Sequence, residues 1–141
     1  MKNSSAYSIT TAGVMLFMLL VTLFNFTLNA AGKKPSAEVN ANIPEQWKSN
    51  IVKEQNGAVT SFSLVNGNAA PVFLFSVTQI PEQEWIKMKT QMPEIKILLH
   101  KDGMIYYSYK NPKEKIKGIN GDLYSQIYPF LDQMISSVQI N

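Results

Sequence analysis

His100 is the only histidine in the chain and is the first residue to consider as a catalytic base. Asp102 follows two residues later, and a carboxylate at that distance could orient the imidazole. A base also needs a nucleophile within reach, and the sequence has no Gly-x-Ser-x-Gly or similar motif that would supply one. Because His100 ends a predicted strand and Asp102 lies in the tight turn that follows, where such pairs are common, we predict that His100 is an exposed turn residue and assign no catalytic residue.

The sequence contains no recognisable set of metal or cofactor ligands. It has one histidine, no cysteine and ten acidic residues that are scattered singly, whereas a metal site needs several ligands at suitable spacing. A phosphate-binding glycine loop and a dinucleotide fingerprint are also missing from the sequence. We therefore predict no metal and no cofactor. A small hydrolase-like enzyme, whose catalytic groups converge from distant segments, is the alternative.

Tyrosine and lysine side chains form the more informative pattern. Tyr107 and Tyr109 alternate along a predicted strand and should share one face of a sheet, and Lys110 and Lys113 follow directly. Tyrosine is frequent at contact surfaces because it combines a rigid apolar ring with a polar tip. We predict that these four residues form a surface that binds a protein or an envelope component. The alternative is that the tyrosines only cover the sheet.

The charge of the chain limits the class of partner. All thirteen basic residues are lysine, and the formal net charge is +3. Nucleic acids are usually recognised through the bidentate geometry of arginine, so we predict no nucleic-acid partner. Residues 110–117 contain four of the lysines and are predicted to form a solvated loop. Contact of this loop with an anionic lipid or polymer surface is the alternative.

An apolar run at residues 12–28, preceded by Lys2, predicts the location of the protein. Its length is typical of the core of a secretory signal and is slightly short for a membrane-spanning helix, which needs about 20 residues. Small residues follow the run, so cleavage is expected after Ala30 or Ala31. We predict a secreted or periplasmic protein, and a single-pass membrane anchor is the alternative. A lipid anchor at this point is excluded because it would require cysteine.

The remaining chain predicts a polar linker at residues 32–42 and one α+β domain at residues 43–141. Asn56-Gly57 and Asp102-Gly103 predict tight hairpin turns, and Pro129 should kink or split the last helix. Strands are predicted over residues 51–55, 58–65, 72–79, 95–100 and 104–110, and helices over residues 81–93 and from about residue 122 onward. The order ββ-β-α-ββ-α predicts an antiparallel sheet of about five strands with helices packed on it.

Two segments carry a resemblance to a known family. The sequence Pro-Glu-Gln-Trp-Lys at residues 44–48, with the hairpin that ends in Val-Thr-Ser-Phe at residues 59–62, resembles the opening of PsbP-like domains. Residues 130–138 are similar to the terminal helix of those domains. The family includes extrinsic subunits of photosystem II, a Ran-binding nuclear transport factor and exported bacterial proteins. The resemblance covers about residues 42–141 and implies an α/β/α sandwich around an antiparallel sheet, but it implies no functional residue.

Overall fold

The computed structural model describes residues 37–90 and 95–141. The apolar run at residues 12–28 and its cleavage sites therefore lie outside the described residues, as do Met92 and Pro93 at the predicted end of the first helix. Within the described ranges, no helix is both long enough and apolar enough to cross a membrane.

The fold is α+β, which confirms the predicted class. Seven strands and three α-helices follow one another along the described chain. They are β1 (Val39–Asn40), β2 (Ile51–Asn56), β3 (Val59–Leu64), β4 (Val72–Pro81), α1 (Glu82–Met88), β5 (Ile95–Lys101), β6 (Met104–Lys110), α2 (Ile119–Ile127), α3 (Leu131–Ser136) and β7 (Gln139–Ile140). Short 3₁₀ turns at Glu45–Trp47 and Tyr128–Phe130 precede β2 and α3.

The main sheet has five antiparallel strands in the order β2-β3-β4-β6-β5. β4 lies in the centre, as its nearly continuous apolar sequence predicts. Both hairpins form. The first turn lies at Gly57-Ala58, one residue later than the predicted Asn56-Gly57, because Asn56 still pairs with Val59. The second turn forms at Asp102-Gly103 as predicted. Gly57 has a φ of +57° in the turn between β2 and β3, and Asp102 and Gly103 both have positive φ between β5 and β6, as a type I′ turn requires.

One face of the sheet, the first face, packs against α2 and α3 and forms the main core. Phe62 and Phe75 lie opposite each other on β3 and β4, and their rings stack with centroids 4.4 Å apart. The last helices contribute an apolar stripe at helical spacing, of which Ile127, Leu131 and Met134 are buried. Pro129 splits the predicted single helix into α2, a 3₁₀ turn and α3, because proline cannot donate a backbone hydrogen bond.

The other face of the sheet, the second face, is partly covered by α1. Trp85 of α1 packs on Tyr107 of β6, with ring centroids 5.4 Å apart. Since α1 has only seven residues, Val52 on β2 and Ile97 on β5 remain exposed. Helices therefore lie on both faces of the sheet, as the sandwich arrangement implies.

The predicted linker is wrong for residues 37–42, because these residues belong to the folded domain. Val39 pairs with Ile140 in a two-stranded antiparallel sheet made of β1 and β7. Lys53 on β2 secures the same segment, since its Nζ donates to the Val39 carbonyl at 3.2 Å and to Asn40 Oδ1 at 2.9 Å. A two-residue strand is too short to show an alternating pattern, and its partner lies about 100 residues away in sequence.

Candidate aromatic and lysine surface

The four residues predicted to share a surface are divided between the two faces of the sheet. Successive side chains of a strand point to opposite faces, so Tyr107 and Tyr109 lie on the second face and Lys110 lies on the first. Lys113 is exposed in the loop that follows β6. The prediction that the two tyrosines share a face is confirmed, but Lys110 lies on the other face and Lys113 lies in the loop after the strand.

Tyr107 belongs to the core of the second face and not to a contact surface. Its side chain is only 3% exposed and is covered by Trp85. Burial raises the pKa of the Tyr107 hydroxyl above its ordinary value, and the nearby polar side chain of Thr78 offsets part of that rise. The prediction that Tyr107 belongs to a binding surface is therefore wrong, because the residue is buried under α1.

The raised pKa of Tyr107 predicts a loss of stability at alkaline pH. Tyrosines of the unfolded chain ionise near pH 10, whereas Tyr107 of the folded domain stays neutral to higher pH because its pKa is raised. The contribution of Tyr107 to the free energy of unfolding is therefore complete below pH 10 and is lost as the pH rises through the folded pKa. We expect Tyr107→Phe to reduce the slope of this loss by up to about 1.4 kcal/mol per pH unit. Urea unfolding at a series of pH values measures the slope, and an unchanged slope in the variant would contradict the prediction.

Asn111 connects Tyr109 to the last helices. The Tyr109 hydroxyl donates to Asn111 Oδ1 at 2.7 Å, and the Tyr128 hydroxyl donates to the Asn111 carbonyl at 3.2 Å. These two bonds fix the chain at the point where it leaves β6. The start of the following loop is therefore held against the 3₁₀ turn that carries Tyr128.

Tyr128 is the centre of the lysine cluster. The Nζ atoms of Lys110 and Lys113 lie 5.6 and 5.9 Å from the centroid of its ring, within the range of cation–π attraction. Lys110 also binds both carboxylate oxygens of Asp132 at 2.7 Å. Among the described residues, Lys113 has no carboxylate partner, so its charge remains available. We call Lys110, Asn111, Lys113 and Tyr128 the aromatic/lysine surface.

Sequence reasoning missed the role of Tyr128. Tyr124 and Tyr128 are recognisable as a pair one helical turn apart, and their rings lie 5.5 Å apart. Nothing in their spacing shows that the end of β6 and the loop after it would place two ammonium groups on Tyr128. That placement depends on how α2 and the 3₁₀ turn pack on the sheet.

Residues 111–118, which we call the lysine loop, have no regular secondary structure but are attached to the domain. The Glu114 N–H donates to the Tyr124 hydroxyl at 3.4 Å, and the Ile116 side chain packs against the main core. Gly121 lies so close to the Ile116 carbonyl that a Cβ at that position would be 2.5 Å from the oxygen. The loop is therefore held at several points, while Lys113, Lys115 and Lys117 are exposed.

His100 is exposed, as predicted, but its partner is Glu82 and not Asp102. The Nε2 atom of His100 lies 3.2 Å from Glu82 Oε2 at the start of α1, and Asp102 forms the turn. Residues 37–90 and 95–141 hold no group of three side chains that could bind a metal ion.

Comparison of the chain with protein-family models, with curated proteins and with solved structures finds no match. The resemblance to PsbP-like domains therefore stays a prediction. The function has to be inferred from the residues that the structure describes and from the sequence that precedes them.

Proposed function

We propose that this protein is an exported or membrane-tethered, non-catalytic binding module that contacts a protein or envelope component through its aromatic/lysine surface. The observation that carries the proposal is the position of Lys113. Its ammonium group lies 5.9 Å from the centre of the Tyr128 ring, on an attached loop, and has no carboxylate partner among the described residues.

The attachment of the lysine loop favours binding. Ordering a flexible loop when a partner arrives costs entropy, and a loop that is already held avoids much of this cost. The bonds from Tyr128 to Asn111 and from Glu114 to Tyr124 hold this loop in the free domain. A partner would therefore meet a surface whose aromatic ring and charge are already in place.

The sequence supports a location outside the cytoplasm. The apolar run at residues 12–28 is typical of a secretory signal, and exported bacterial proteins are among the PsbP-like domains that the chain resembles. A partner in the cell envelope is consistent with both features. The proposal therefore combines the location predicted from the sequence with the surface that the structure describes.

Site-specific photo-crosslinking in the native envelope tests the binding surface. A photoreactive amino acid replaces Lys115 in the lysine loop or, as the control, Lys89 at the end of α1; both lysines are exposed. We expect a defined species to be attached through position 115 and not through position 89. Capture of the same species from both positions, or from neither, would contradict the proposal.

The predicted location has a separate test. Mass measurement of the protein isolated from its host should show a chain that starts near Ala31 or Gly32, because cleavage is expected after Ala30 or Ala31. A full-length mass in the membrane fraction would support the anchored alternative. Recovery of the full-length chain in the soluble cytoplasmic fraction would exclude both.

A further inference from the structure

We infer that the component bound by the lysine loop is the anionic surface of a lipid bilayer. This inference rests on the proposed function and names the partner of the aromatic/lysine surface together with the lysine loop that extends it. It is supported by the placement of the lysines, by the aromatic residues beside them and by the apolar run that precedes the domain.

We call the three exposed lysines of the loop the lysine row; none of them has a carboxylate partner among the described residues, although Lys113 lies over the Tyr128 ring. Lys113, Lys115 and Lys117 occupy every second position and are all exposed. Within the described ranges, none of the three forms an ion pair, in contrast to Lys110, which binds Asp132. Glu114 is the only acidic residue in the loop. The loop therefore presents a net positive charge that the domain itself does not neutralise.

The residue type favours a bilayer over a defined phosphate site. Lysine is a hydrated point charge, and it suits a diffuse layer of lipid headgroups, whereas arginine suits bidentate recognition of one phosphate. Each lysine near an anionic membrane strengthens binding by about fivefold. The three lysines of the loop would together contribute about 100-fold, which is enough to orient a domain that is already close to the membrane.

Aromatic residues accompany the lysine row. Tyr128 carries the two ammonium groups, and Phe130 follows it in the same 3₁₀ turn and is 41% exposed. Phe130 packs edge-on against Trp47, with ring centroids 4.9 Å apart, and this contact holds the partly exposed ring in place. Aromatic rings beside basic residues are typical of segments that lie at the level of lipid headgroups.

The chain ahead of the domain supplies the last argument. The apolar run ends at Leu28, nine residues before Ala37. Nine residues of fully extended chain reach at most about 30 Å. In the anchored alternative, in which the run is not cleaved, a tether of this length would limit the distance between the domain and the bilayer. Binding of the lysine loop to the bilayer would then be effectively intramolecular, so a weak electrostatic attraction would be sufficient for contact.

Site-specific fluorescence quenching in vesicles tests the inference on the full chain. The protein has no cysteine, so Glu114→Cys labels the lysine loop uniquely, and Glu84→Cys on α1 is the control that loses the same charge. The labelled chain is reconstituted into vesicles of phosphatidylcholine, with or without phosphatidylglycerol, that contain a lipid with a nitroxide headgroup. Quenching then reports whether the label touches the headgroups.

We expect stronger quenching at position 114 than at position 84, only in vesicles with phosphatidylglycerol. High salt should abolish the difference, since 1 M salt shortens the screening length to about 3 Å. The triple change K113Q/K115Q/K117Q should also abolish it, whereas K48Q/K87Q/K89Q, which removes the same number of charges, should not. Equal quenching at both positions, or a difference that survives the loop variant, would overturn the inference.

The two proposals fail in different ways. A protein captured through position 115 by photo-crosslinking, together with equal quenching at positions 114 and 84, would leave the binding module in place and overturn the lipid surface as its partner. Failure of both experiments would remove the aromatic/lysine surface as a binding site.

Discussion

Replacing Phe75 with alanine is expected to lower the free energy of unfolding by about 3–5 kcal/mol. Phe75 is fully buried in the central strand, and its ring stacks on Phe62 at 4.4 Å with an angle of 13° between the planes. The substitution removes a buried ring and leaves a cavity between the sheet and the last helices. Because domains of this size are stable by about 5–15 kcal/mol, the loss is a large part of the total.

Chemical denaturation followed by tryptophan fluorescence measures the effect, since Trp47 and Trp85 are both buried in the folded domain. Ile97→Ala is the matched control. Ile97 is also an apolar residue of the sheet, but it is 52% exposed, so we expect a change within about 0.5 kcal/mol. A similar loss in the two variants would contradict the assignment of Phe75 to the core.

Replacing Gly121 with alanine is expected to destabilise the domain by up to about 2 kcal/mol, although alanine usually stabilises a helix. In α2 the change should gain about 1 kcal/mol of helix propensity. The new Cβ, however, would lie 2.5 Å from the Ile116 carbonyl oxygen, which belongs to the backbone of the lysine loop. Relieving such overpacking costs about 1–3 kcal/mol, so the contact decides the sign.

The same denaturation experiment measures this loss, with Gln126→Ala as the control in an exposed position of α2. The displaced loop should also weaken the bond between the Glu114 N–H and the Tyr124 hydroxyl, so amide exchange of Glu114 should accelerate. A stabilised Gly121→Ala variant with unchanged exchange would show that the lysine loop is not held against α2.

Local patterns predicted much of the sheet. The alternation of Phe62 and Leu64 with serines predicted a strand with one buried face, and Leu64 and Phe62 are indeed buried. Asp102-Gly103 predicted a tight turn because both residues tolerate positive φ. Pro129 predicted a break in the last helix. Each of these signals lies within a few residues, which is why a single sequence shows it.

The lysine cluster could not be predicted in the same way. Lys110 binds the carboxylate of Asp132, which lies 22 positions later in the sequence, and its Nζ also lies over the Tyr128 ring. Both contacts form only because α3 and the 3₁₀ turn before it pack on the first face of the sheet. Conversely, the preference of tyrosine for contact surfaces predicted Tyr107 to lie in one, but Trp85 of α1 covers it. Strand periodicity indicates which residues share a face and does not indicate what covers that face.

The sequence by itself determined the class of the fold, the order of its main elements and the lysine-only character of its charge, because these depend on short-range periodicity, turn residues and composition. The tertiary structure alone decided that Tyr107 is buried, that Lys110 forms an ion pair and that the ammonium groups of two lysines lie over the Tyr128 ring. These outcomes depend on contacts between segments that are distant along the chain, and such contacts are set by the packing of helices on the sheet.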